Sequence, residues 1–195
     1  MAVRCEILSS ETVFHEFVRV EKAVIRWERF NGGMGSACSR YVVRRGDSVG
    51  IVPRCSETGR IVLVKQFRFP AHRGGSDGYL WEIPAGMIDG GEKPVDTALR
   101  ELSEEIGLEA NSVAPLLSYY LSPGLLDEKM HLFLARLGSC SRLESLGGRH
   151  EEEEELLIRS FGTEELLAMI REGEIIDAKS VAALLYVLFQ LPSEA

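Results

Sequence analysis

The stretch from Gly86 to Leu108 restricts the fold more tightly than any other part of the chain. Pro94 has the fixed φ suited to a first helical turn, and Gly107 is the residue type that ends helices, so a helix is expected over Lys93–Ile106. That helix carries Arg100-Glu101-Leu102-Ser103-Glu104-Glu105. Glu101 and Glu105 are four residues apart and share a face, with Glu104 beside them. Three like charges at this spacing destabilise an isolated helix. They call for a compensating partner, or else form a solvated acidic face. Hard divalent cations such as Mg²⁺ or Mn²⁺ take oxygen ligands and fit the first alternative. Arg100 and Glu92 are placed to orient the carboxylates. The glycines of Ala85-Gly86 and Gly90-Gly91 bracket a loop whose backbone can approach a ligand closely, and a carbonyl there can add a metal ligand.

The remaining sequence surrounds this helix with short strands. Ile61–Arg68 follows Val49–Pro53 across a turn at Ser56–Gly59, as a hairpin with a buried second strand. Leu80–Ile83, Leu116–Tyr120, Met130–Ala135 and Leu156–Phe161 read as further strands, and Arg73–Gly78 as a glycine-rich loop. Two helices are expected near the end, Thr163–Glu172 and Asp177–Leu191, with Thr163 and Asp177 as N-caps. Partly alternating runs at Val13–Val20 and Ala23–Trp27, with a turn at Asn31-Gly32-Gly33, suggest a thin antiparallel unit. The expected organisation is an N-terminal β unit over 1–48 and a main domain over 49–195. The fold class is α+β, with strands layered between helices.

Net charge is −8 and no basic stretch occurs, which argues against broad nucleic-acid binding. Metal ions would reconcile an acidic chain with a phosphate substrate. The apolar run Val181–Phe189 is too short to span a bilayer, and residues 1–6 lack the apolar core of a signal peptide, so a cytoplasmic protein with no membrane partner is expected. Cys5, Cys38, Cys55 and Cys140 show no zinc spacing and are expected to be reduced.

Gly86, five residues, Glu92, seven residues, then Arg100-Glu101-Leu102-x-Glu104-Glu105-x-Gly107-Leu108 resembles the signature of the Nudix hydrolases at every defined position. The resemblance implies a Nudix-type α/β/α sandwich and metal-dependent cleavage of a nucleoside diphosphate linked to another group. By the same resemblance Glu101, Glu104 and Glu105 are metal ligands, joined by the Ala85 carbonyl. Val64–Pro70, Trp81–Met87, Pro123, Asp177–Ser180 and Arg29–Met34 are similar to the ADP-ribose pyrophosphatase group. The loop after Pro123, Gly124-Leu125-Leu126-Asp127-Glu128, is more apolar than the group's pattern.

Hydrolysis of ADP-ribose to AMP and ribose 5-phosphate is the reaction so implied. GDP-mannose or another nucleotide sugar is the alternative, and a non-catalytic nucleotide-sugar sensor is an alternative of another class. The attacking water needs a base, expected in the run Glu151–Glu155, with Glu154 favoured and Glu152 second. Arg68, with its planar fork, is a candidate phosphate ligand. Glu82, Met87 and Phe30 are candidate substrate contacts, and Trp27 and Tyr41 candidate stacking partners. His131 lies in an apolar strand and is expected to be structural. The group's N-terminal strands usually exchange between subunits, which implies a homodimer.

Overall fold

The computed structural model describes residues 3–138, 143–148 and 155–190. The chain divides into two compact units, Met1–Asp47 with Tyr120–Lys129, and Ser48–Tyr119 with Met130–Ala195.

The first unit is built on a three-stranded antiparallel sheet: β1 (Cys5–His15), β2 (Arg19–Trp27) and β3 (Cys38–Arg44), in that order. The run expected as one strand over Val13–Val20 is broken at residues 16–18, where the Glu16 N–H reaches the Val18 carbonyl at 3.2 Å and turns the chain. Phe17 sits at this turn, 87% exposed, so alternation passes through a residue that faces no core. The expected turn at residues 31–33 forms, with the Arg29 N–H on the Gly33 carbonyl at 2.8 Å.

The second unit rests on an eight-stranded mixed sheet among the described residues. Its strands are β4 (Ser48–Cys55), β5 (Ile61–Phe67), β6 (Tyr79–Glu82), β7 (Ala85–Met87), β8 (Ala110–Tyr120), β9 (Lys129–Leu137), β10 (Glu144–Gly147) and β11 (Leu156–Phe161). The main order is β10-β11-β5-β4-β9-β8, with β6 paired to β5 and β7 to β4. β4 and β9 run parallel.

Side-chain alternation along these strands makes two cores. Val49, Ile51, Val62, Val64, Phe133, Ala135 and Ile158 face α2 (Pro94–Ile106), which contributes Ala98, Leu102 and Ile106. Val52, Ile61, Leu63, Leu132, Leu134 and Phe161 face α3 (Thr163–Glu172) and α4 (Ala178–Gln190), which contribute Leu166, Met169, Ala183, Leu184 and Val187. Helices thus cover both faces of the sheet, the α/β/α arrangement expected from the sequence.

The expected hairpin of β4 and β5 is paired in register only at Arg54↔Ile61. Farther from that turn the strands part. β6 joins β5 over Tyr79–Glu82, and β7 joins β4 over Ala85–Met87. This wedge delivers the chain to the loop before α2. Pro94 and Gly107 act as expected: Lys93 is the N-cap of α2, and Gly107 adopts φ 66 at its C-cap.

Several local expectations need correction. The N-cap of α3 is Gly162 rather than Thr163, and the Gly162 N–H donates to Glu165 Oε2 at 3.3 Å. A short helix, α1 (Phe69–Arg73), precedes the glycine-rich loop. Cys5 and Cys38 are free thiols as expected, but Cys55 is disulfide-bonded and not reduced. No helix among the described residues is long and apolar enough to cross a membrane.

Candidate active site

Arg100 organises the acidic face of α2. Its Nη1 donates to Glu101 Oε1 at 2.7 Å and to Glu104 Oε2 at 3.0 Å. Its Nε and Nη2 reach the Glu92 carboxylate at 3.3 and 3.2 Å, and Nη2 also reaches the Met87 carbonyl at 3.3 Å. One guanidinium therefore ties the loop, the residue before the helix and two helical carboxylates together. The hydrogen bond to Glu92, helped by the charge of Glu101, pushes the Arg100 pKa upward. The same bond, with a second from Thr97, holds Glu92 below the ordinary carboxylate range. Both groups stay charged near neutrality, so the clamp persists.

The three helical glutamates are not equivalent. The Glu104 side chain is 29% exposed and that of Glu101 13% exposed. Glu105 is buried, on the side of α2 that carries Ala98 and Leu102. Gly86 explains how Glu101 meets the loop. A Cβ on Gly86 would overlap the Glu101 carboxyl group. Gly86 does not adopt positive φ, so a side chain is excluded by space and not by backbone conformation. The close approach expected at this glycine is made by the chain's own carboxylate.

The segment leading into the loop is pinned residue by residue. Glu82 is 2% exposed and accepts from Arg68 Nη2 at 2.7 Å, Arg68 Nε at 3.1 Å and Lys179 Nζ at 2.8 Å. The Ile83 N–H donates to Ser180 Oγ at 2.8 Å, and Ser180 Oγ donates to Asp177 Oδ2 at 2.6 Å. The Pro84 carbonyl accepts from the Ile51 N–H at 2.9 Å. Ala85, Gly86 and Met87 pair with Gly50, Val49 and Ser48. Asp177 also accepts from the Ser180 N–H at 3.0 Å, as its expected capping role requires.

The structure thus gathers Met87, Glu92, Arg100, Glu101 and Glu104 by direct contact, with Gly86 against Glu101 and Ala85 next to it in β7. Arg68 and Glu82 form a second cluster with Lys179 and Asp177. The roles of Lys179 and Ser180 in this cluster were not read from the sequence. The signal available was an Asp three residues before a Ser at a helix start. Phe30 lies in the first unit, fully exposed. Trp27 is covered by the Arg40 guanidinium, 5.3 Å from the ring centroid, and Tyr41 is exposed. Glu152 and Glu154 lie outside the described residues. His131 Nδ1 hydrogen-bonds Ser118 Oγ at 2.8 Å, in keeping with a structural histidine.

Among the described residues, no three acidic, histidine or cysteine side chains are drawn together tightly enough to hold a metal ion. Arg100 occupies the space between Glu101 and Glu104. The donor set nonetheless fits a hard divalent cation, because it consists of carboxylate and carbonyl oxygens. Glu101 and Glu104 accept from the same nitrogen, so both carboxylates already neighbour one point of positive charge.

Comparison with known proteins agrees with this geometry. The family model of the NUDIX domain matches residues 44–184. An ADP-ribose pyrophosphatase of Bacillus subtilis (strain 168) is 37% identical over 154 residues, covering 78% of each chain. A methanol dehydrogenase activator of Bacillus methanolicus is 37% identical over 156 residues, 80% of each chain. A GDP-mannose pyrophosphatase of Pectobacterium atrosepticum is 30% identical over 191 residues, 97% of each chain. A crystal structure of an ADP compounds hydrolase superposes with a TM-score of 0.74 at 24% identity, covering 98% of this chain and 96% of that one. The arginine-clamped glutamates on α2 and the matched family model together place this chain in the Nudix hydrolase family.

Proposed function

We propose that the protein hydrolyses the pyrophosphate bond of ADP-ribose, giving AMP and ribose 5-phosphate, with Mg²⁺ or Mn²⁺ as cofactor. The observation that carries this reading is the grouping of Glu101 and Glu104 around Arg100, beside the pinned backbone of Ala85–Met87. The ADP-ribose pyrophosphatase relative at 37% identity supports the substrate class. In this reading Glu101, Glu104, Glu105 and the Ala85 carbonyl hold the metal. When bound, the metal draws charge off the phosphates and lowers the pKa of water.

The chain's own groups do the rest. Arg100 fixes the rotamers of Glu101 and Glu104, so little reorganisation accompanies substrate arrival. A water oxygen bonds to one phosphorus, the bridging P–O bond breaks, and the water proton passes to a base, for which Glu154 is proposed first and Glu152 second. The Arg68 side chain stays 39% exposed while paired to the buried Glu82. It presents its outer edge to a substrate phosphate, and Glu82 sets its orientation. Met87 lines the approach beside the clamp.

A GDP-mannose pyrophosphatase matched over 97% of this chain favours a second reading, the same chemistry on GDP-mannose. A substrate panel separates the two. We expect kcat/KM for ADP-ribose to exceed that for GDP-mannose and for dinucleotides by at least about tenfold, which corresponds to roughly 1.4 kcal/mol of discrimination. A preference for GDP-mannose would replace the first reading by the second.

The protein is further proposed to be a homodimer. Ile7, Leu8 and Phe14 on β1 and Phe17 and Phe30 in the turns of the first unit are exposed, and grouped exposed apolar residues mark interaction surfaces. Phe30 is proposed to meet substrate only in such an assembly. Light scattering at micromolar concentration is expected to give twice the 21.7 kDa chain mass. A stable single-chain mass would remove the dimer from the proposal.

A further inference from the structure

Lys179 stands where physical chemistry disfavours it. It is the second residue of α4, and the N-terminal end of a helix repels a cation. Its side chain is only 12% exposed, although lysine is almost never buried unless paired. Two carboxylates account for the position. The Lys179 Nζ donates to Glu82 Oε2 at 2.8 Å and to Asp177 Oδ2 at 2.9 Å. Both oxygens therefore lie against one nitrogen. Without its charge, two largely buried carboxylates would neighbour each other uncompensated.

Glu82 ends β6 and links Lys179 to Arg68. Its Oε2 accepts from Arg68 Nη2 at 2.7 Å as well as from Lys179, and its Oε1 accepts from Arg68 Nε at 3.1 Å. Two guanidinium nitrogens on one carboxylate fix the arginine plane to that of the carboxylate. The terminal torsion of a glutamate is soft, so the carboxylate plane needs a brace of its own. Lys179 supplies it. A second arm leaves the same helix start. Asp177 Oδ2 accepts from Ser180 Oγ at 2.6 Å, and Ser180 Oγ accepts from the Ile83 N–H at 2.8 Å, which fixes backbone and not a guanidinium.

We infer that Lys179 is a positioning residue for substrate binding: by bracing Glu82 it sets the direction in which Arg68 presents its fork. The inference rests on the reading that Arg68 meets a substrate phosphate. Without the lysine, Arg68 must offset both Glu82 and Asp177, and its fork is drawn toward them and away from a phosphate. Arg100 holds Glu101 and Glu104 by separate bonds, so the loss falls on binding and not on the chemical step.

Lys179→Met is compared with wild type by steady-state kinetics and by the Arg68 Nε–H resonance of the isotope-labelled full chain, identified by its loss in Arg68→Gln. The variant should raise KM for ADP-ribose at least about fivefold and keep kcat within about threefold. The Arg68 signal should shift and exchange faster with water. Removing one partner of a buried ion pair strongly destabilises a fold. Asp177→Asn/Lys179→Met removes one charge of each sign and keeps a capping side chain, and the same changes are expected in it. In an Arg68→Gln background, Lys179→Met should alter KM by less than about twofold, because its effect passes through the arginine. Ser180→Ala, which cuts the arm to Ile83, should leave the Arg68 signal in place. The role is overturned by an unchanged Arg68 signal in both lysine variants, by a fall in kcat at constant KM, or by KM effects that multiply fully with Arg68→Gln. A signal change in Ser180→Ala as large as that in Lys179→Met overturns it too. If wild type hydrolyses neither ADP-ribose nor GDP-mannose, the substrate proposal fails, and the Arg68 signal still decides the role of Lys179.

Discussion

Glu101→Gln and Glu105→Gln are each expected to lower kcat/KM for ADP-ribose by at least about 100-fold. Groups that merely support a metal ligand typically account for 10–100-fold, and a direct ligand should exceed them. The two variants should differ in stability. Glu101 accepts a charge-assisted bond from Arg100, so its replacement loosens the clamp. Glu105 is buried, and an amide of the same shape keeps its packing, so Glu105→Gln should stay within about 1.5 kcal/mol of wild-type stability without metal. Steady-state kinetics together with thermal melts in chelator check both halves. Near-wild-type kcat/KM in both variants would remove these carboxylates from the chemistry.

Gly86→Ala carries the second large effect. The added methyl would occupy the position of the Glu101 carboxyl group, so one of them must move. Overpacking of this kind costs about 1–3 kcal/mol of stability. The displaced group is a proposed metal ligand, so activity should fall much further, by about 100-fold, as expected when a reacting geometry shifts by an ångström. Gly90→Ala is the control, since a Cβ there meets nothing within 4 Å. It should keep activity within about threefold of wild type. Similar losses in both variants would assign the effect to loop flexibility instead.

The helix that bears the glutamates was legible because its signals are local. Pro94 and Gly107 fix its ends through backbone chemistry, and the observed limits fall within one residue of those expected. The limits of β11, Leu156–Phe161, were also read correctly, because the strand opens on the apolar run Leu156-Leu157-Ile158 and closes on the buried Phe161. β1 shows the opposite case. Its residues are mostly exposed, so Ser9-Ser10-Glu11 carry no apolar alternation to mark a strand. The parting of β4 and β5 was also invisible. Both strands have the expected composition, and only the insertion of β6 and β7, a long-range pairing, separates them. The bond from Lys179 to Glu82 and the bond from the Ile83 N–H to Ser180 join positions almost a hundred residues apart. No spacing rule reaches that far.

The most direct test of metal-dependent hydrolysis at Gly86–Leu108 is turnover of ADP-ribose by the wild-type protein, first in excess chelator and then with Mg²⁺ or Mn²⁺ restored. The glutamate-based site predicts AMP and ribose 5-phosphate in equal amounts, formed only after metal is returned. Undiminished turnover in chelator, or none with either metal, would contradict it.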